Sequence, residues 1–86
     1  MATYTGLILV TGASKPDIEA AFRETLSPFT IKILDIQSMD IRDRYFLAIY
    51  ISLDKAHAKA IEADLAETAR RFELDLAIDY REELPG

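Results

Sequence analysis

Apolar residues along this chain switch between two spacings, and the order of the switches limits what it can fold into. Thr5 to Thr11 is a short apolar run of strand formers, closed by Gly12 and the polar Ser14-Lys15-Pro16-Asp17. Ile18, Ala21, Phe22, Thr25, Leu26 and Phe29 then recur at helical spacing. Ser14 is placed to cap that helix, Asp17 to complete a capping box and Pro16 to occupy its first turn, while Pro28 stops it after Ser27. From Thr30 to Leu53 the pattern is that of two antiparallel strands around a tight turn at Arg42-Asp43, where Asp43 tolerates a positive φ. Asp54 caps a second helix that runs to Phe72, with Ala58, Ile61, Leu65, Ala69 and Phe72 on its inner side. Glu73 to Tyr80 alternates strictly, with Leu74, Leu76, Ile78 and Tyr80 on one face.

The order is strand, helix, strand, strand, helix, strand. Two helices of this length cover one face of a four-stranded sheet, so the expected fold is α+β: a βαββαβ ferredoxin-like sandwich with an antiparallel sheet and both helices on one side. One domain fills residues 1–86, with a core from 5 to 80 and a tail or linker from 81 to 86. The uncovered face carries Phe46 and Tyr50, and an apolar surface of that kind predicts an interface. A chain of 86 residues forms a modest core, so a homo-oligomer or a neighbouring domain is the expected support.

Composition removes whole classes of function. There is no cysteine, which excludes disulfides, thiolate metal sites and cysteine nucleophiles. The formal net charge is −5, and the ten basic residues are scattered, so a nucleic-acid backbone is not an expected partner. No apolar run reaches the roughly 20 residues that cross a bilayer. The start, Met1-Ala2-Thr3-Tyr4, lacks the basic and apolar regions of a signal peptide, so no membrane partner and a cytoplasmic location are expected.

Catalytic chemistry needs convergent reactive groups. The single histidine, His57, lies among alanines and lysines and reads as a solvated helix residue. Asp35, Asp40 and Asp43 fall on a strand and turn, and Glu62, Asp64 and Glu67 on a helix exterior, in neither case at a metal-ligand spacing. Gly12 stands without the further glycines of a phosphate loop. The expectation is a chain with no catalytic residues, metal site or cofactor of its own.

The stretch Thr11 to Ile18 carries two readings. It joins a strand to a helix N-terminus, where free N–H groups favour a carboxylate, so an amino-acid ligand could dock there. Alternatively Gly12, Ser14 and Asp17 serve only as turn and cap.

Several segments together resemble the ACT family of small amino-acid-sensing regulatory domains: Leu7 to Gly12 with the following Pro16 loop, Ile33 to Ser38, Arg44 to Leu47, and Phe72 to Ile78. The resemblance spans residues 5 to 80. It is most similar to the amino-terminal ACT region of long phosphoserine phosphatases, and implies a non-catalytic regulatory part of such a hydrolase in L-serine biosynthesis. The attached phosphatase domain would then use Mg²⁺, and the partners would be serine or glycine as effector and a second ACT unit or the catalytic domain. Effector binding at the interface would shift which arrangement is populated. The implied ligand contacts are Gly12, Ser14, Lys15, Pro16 and Asp17, with Asp35 and Gln37 on the neighbouring strand. The family loop reads Asp-Arg-Pro-Gly where this chain has Ser14-Lys15-Pro16-Asp17. A carboxylate at position 17 would fill space the glycine leaves and repel a ligand carboxylate. A purely structural dimerisation module, or the ACT unit of a formyltetrahydrofolate deformylase or a stand-alone regulator, are the competing readings. An acylphosphatase is set aside, because the loop lacks the arginine and asparagine that chemistry requires.

Overall fold

The computed structural model describes residues Thr3–Glu83. Along the chain come β1 (Thr3–Ala13), α1 (Ile18–Leu26), β2 (Lys32–Ile41), β3 (Arg44–Leu53), a single 3-10 turn (Lys55–His57), α2 (Ala58–Arg71) and β4 (Asp75–Glu83). The four strands form one antiparallel sheet in the order β2-β3-β1-β4. Each helix therefore connects two strands that have a third between them, the split arrangement expected from the order of spacings.

Alternation along β3 decides which side is inside. Tyr45, Leu47, Ile49, Ile51 and Leu53 are buried, and they meet Ile8 and Val10 of β1 beneath Ile18, Phe22 and Leu26 of α1 and Ile61 and Leu65 of α2. The intervening residues, Phe46, Ala48 and Tyr50 among them, face away from the helices. No side-chain nitrogen or oxygen buried among the described residues lacks a partner.

Several boundaries depart from the sequence reading, each for a local reason. β1 continues through Gly12 and Ala13, because Gly12 pairs with Tyr45 and Ala13 with Arg44. Gly12 is thus a strand residue with ordinary φ and not a turn. Helix α1 begins at Ile18, so Ser14 does not cap it and Pro16 precedes it. Asp17 occupies the cap position at φ 65° and makes no side-chain cap bond, which removes the expected capping box. By contrast, Asp54 does cap, accepting the Ala56 N–H at 2.9 Å ahead of the 3-10 turn.

At the other end of α2, Glu73 stops the helix and does not start a strand. Its φ is 57°, its N–H donates to the Arg70 carbonyl at 3.1 Å, and the Leu74 N–H donates to the Ala69 carbonyl at 2.9 Å. That pair of bonds is a Schellman motif. Arg42 and Asp43 both have positive φ between paired Ile41 and Arg44, the two-residue type I′ hairpin turn. Of the predicted tail, Arg81, Glu82 and Glu83 continue β4 opposite Thr5, Tyr4 and Thr3. Residues 84–86 lie outside the described residues.

Candidate functional site

The β1–α1 connection, the β2–β3 turn and the α2–β4 turn converge at one end of the sheet. The Ser14 N–H donates to the Asp43 carbonyl at 2.8 Å, and the Ser14 hydroxyl donates to Asp40 Oδ1 at 2.7 Å. Lys15 Nζ donates to the Phe72 carbonyl, beside the helix stop at Glu73. Three loops are thereby tied together by one short segment. Asp40, Asp43 and Phe72 were not among the candidates from sequence. Their part follows from the β1–β3 register, which brings the hairpin tip level with Ala13.

Gly12 has a packing role there. A Cβ at this position would lie 2.5 Å from Leu74 Cδ2 and 3.4 Å from Leu74 Cα, so the room the glycine leaves is taken by the first residues after α2. Asp17 keeps the left-handed backbone that a glycine adopts freely, and adds an exposed carboxylate just ahead of α1. Below them, Tyr45 packs on the inner face. Burial pushes its phenol up from its usual range, a hydrogen bond with Ser38 opposes this, and the Glu19 and Asp40 carboxylates add to the rise.

Asp35 and Gln37 are placed elsewhere. They pair with Tyr50 and Ala48, residues of the face turned away from the helices. Asp35 accepts from the Ile36 N–H at 2.8 Å and from Gln37 Nε2 at 3.4 Å. From Asp40, which holds Ser14, Asp35 is five residues along the strand, a separation of about 17 Å. One chain therefore gathers Gly12, Ser14, Lys15, Pro16 and Asp17 at the sheet end, and leaves Asp35 and Gln37 apart from them. Gln37 instead lines a 540 Å³ hollow on the open face together with Leu9, Thr11, Met39, Phe46 and Ala48.

Among the described residues, no group of three or more His, Asp or Glu is positioned to hold a metal ion. His57 is exposed, 6.5 Å from the Phe29 ring. No helix among the described residues is long and apolar enough to cross a membrane.

A family model for the ACT domain matches residues 5–79. Over 86 residues, 98% of this chain, the sequence is 33% identical to the phosphoserine phosphatase SerB2 of Mycobacterium tuberculosis, and it spans only 21% of that protein. The fold superposes on a formyltetrahydrofolate deformylase from Burkholderia mallei with a TM-score of 0.81 at 17% identity, covering 88% of this chain and 28% of that one. An ACT domain protein from Streptococcus pneumoniae gives a TM-score of 0.77 at 15% identity, covering 90% of this chain and 89% of its own.

Proposed function

The chain belongs to the ACT domain family, and we propose that it is a regulatory module that senses a small amino acid and passes its state to an attached phosphatase. The family match over residues 5–79 carries this reading. The link to a phosphatase rests on 33% identity along nearly the whole chain to a phosphoserine phosphatase. Removing phosphate from phosphoserine yields serine, so a serine-responsive module would report on product. The catalytic groups and the Mg²⁺ expected of such a hydrolase would belong to that other domain.

The end of the sheet where Ser14 to Asp17 meets the hairpin tip is the place for the amino acid. Its Asp40 carboxylate already accepts the Ser14 hydroxyl, and an incoming ammonium group would take over that acceptor. Movement of the segment would be felt at Asp43 and Phe72, because Ser14 and Lys15 are bonded to both. Amide NMR titration with L-serine and with glycine tests the reading. Saturable shifts confined to Gly12–Ile18, Asp40–Asp43 and Phe72–Glu73 support it, and flat spectra to millimolar ligand refute sensing by this chain.

One observation favours a second reading, in which the module only holds subunits together. Asp17 puts a carboxylate, uncommitted to any cap, where a ligand carboxylate would approach α1. Replacing it separates the two. A sensor obstructed by Asp17 gains serine affinity in Asp17→Gly, whereas an assembly module gains none.

A further inference from the structure

The helix layer stops short of β2. Each residue of that strand directed to the helix side pairs with a buried residue of β3, yet no residue of β2 is itself buried. Ile33 is 37% exposed, while Ile51 opposite it is 0% exposed. Between this overhang and the C-terminal end of α1 lies a 400 Å³ hollow walled by Leu26, Phe29, Ile31 and Ile33, with the exposed Arg23 and Ser27 at its rim. We propose that it binds a small apolar carboxylic acid, with the hydrocarbon in the hollow and the carboxylate on Arg23.

Size and polarity argue for the hydrocarbon. The volume falls within the roughly 300–1,000 Å³ of small-molecule sites, which are walled mostly by apolar side chains and carry few polar groups. Leu26 is 1% exposed, and Phe29 and Ile31 are half-buried against the core. Charge argues for the carboxylate. Arg23 is the one charged side chain lining the hollow, and no carboxylate lines it. Its Nε donates to Glu19 at 3.1 Å, one turn back along α1, and among the described residues the guanidinium makes no other hydrogen bond. Its two terminal nitrogens can therefore hold both oxygens of a carboxylate. The carbonyls that end α1 would repel an anion, but two of them already have donors. That of Glu24 accepts the Ser27 N–H at 3.2 Å and hydroxyl at 2.8 Å, and that of Leu26 accepts the Phe29 N–H at 3.1 Å. An added protein strand is a poorer occupant. Pairing along β2 would meet the register shift between Ile33 and Asp35, beside the hollow.

Amide NMR titration of the chain with octanoate, and with 1-octanol as its uncharged counterpart, tests the assignment. Octanoate is expected to give saturable shifts centred on Arg23 to Ile33 at millimolar concentration. Octanol should bind the wild type about tenfold more weakly, and octanoate should bind Arg23→Gln more weakly by a similar factor. Arg23 is exposed and makes one surface ion pair, so the variant should keep the wild-type spectrum outside its own turn, which checks folding. An absence of saturable shifts to millimolar octanoate would overturn the proposal. So would shifts centred on Leu9, Met39 and Phe46, which place the acid on the other face of the sheet. Octanol binding as tightly as octanoate, or an Arg23→Gln variant with unchanged affinity, would equally defeat it, since the carboxylate is then not recognised. The serine titration reads Gly12–Ile18 and Asp40–Asp43, so either reading can fail without the other.

Discussion

The side-chain oxygens of Thr25 and Thr68 lie 2.6 Å apart and join α1 to α2 across the top of the core. Each is also within reach of a carbonyl one turn back, Ala21 at 2.9 Å and Asp64 at 3.2 Å. Two hydroxyls hold two protons, so only two of these three contacts are hydrogen bonds at once. One threonine bonds its own helix, and the other bonds the first threonine. Thr25→Val and Thr68→Val should each cost about 1 kcal/mol in urea unfolding. The double variant should cost less than the sum, by about 0.5–1 kcal/mol, because the first change already breaks the shared bond. Strict additivity would mean that the two helices are not coupled here.

Glu73 ends α2 in a left-handed conformation that is unfavourable for a residue with a Cβ by about 1–2 kcal/mol. Glycine removes that cost and returns part of it as unfolded-state freedom. Glu73→Gly is therefore expected to raise stability by up to about 1 kcal/mol. Asp17→Gly should gain less, because aspartate tolerates this region better than glutamate does. Thermal unfolding of the two variants checks the ranking, and a destabilised Glu73→Gly would contradict the Schellman account.

Glu73 also shows where the sequence stopped being legible. Its neighbours Leu74, Leu76, Ile78 and Tyr80 alternate so cleanly that the pattern starts the strand at Glu73, two residues ahead of Asp75, and only the backbone reveals a helix stop made without glycine. Ser14 misled for a similar reason. It has the chemistry of a helix cap, yet spends its hydroxyl on Asp40, 26 residues away and reachable only once β2 and β3 are paired. The order of elements and the inward face of β3 were legible because local spacing sets them. Asp35 and Gln37 were grouped with the loop through family resemblance, and the register sets them on the other face of the sheet.

Gly12 and Leu74 should behave as a pair. In the wild-type background Gly12→Ala drives a methyl into Leu74 Cδ2 and is expected to cost about 1–3 kcal/mol. In a Leu74→Ala background the clash is gone, while the preference of a strand for alanine over glycine remains, worth roughly 0.5–1 kcal/mol. The same substitution should there be neutral or stabilising. Urea midpoints of the four proteins decide it. An equal cost of Gly12→Ala in both backgrounds would show that Leu74 is not what the glycine accommodates.

Tyr80 makes the fold sensitive to alkaline pH. Its ring lies over Gly6, where a Cβ would come within 3.3 Å of it, and stacks on Tyr4 at 5.6 Å. Its hydroxyl donates to the Ala58 carbonyl at 3.0 Å. Burial, then the Glu62 carboxylate, then Tyr4 raise its pKa from 10.0 to about 12. The folded state therefore holds this proton more tightly than the unfolded chain does, and the resulting stability is complete below pH 10 and lost as pH rises from 10 through 12. Tyr80→Phe gives up the hydrogen bond to Ala58, so at neutral pH it should be less stable by about 1 kcal/mol. Above pH 10 the wild type should lose stability faster, and the gap between the two proteins should close. Urea midpoints across that range, read beside tyrosinate absorbance, check this. Parallel curves for wild type and Tyr80→Phe would mean that the phenol ionises as readily in the folded protein as in the unfolded one.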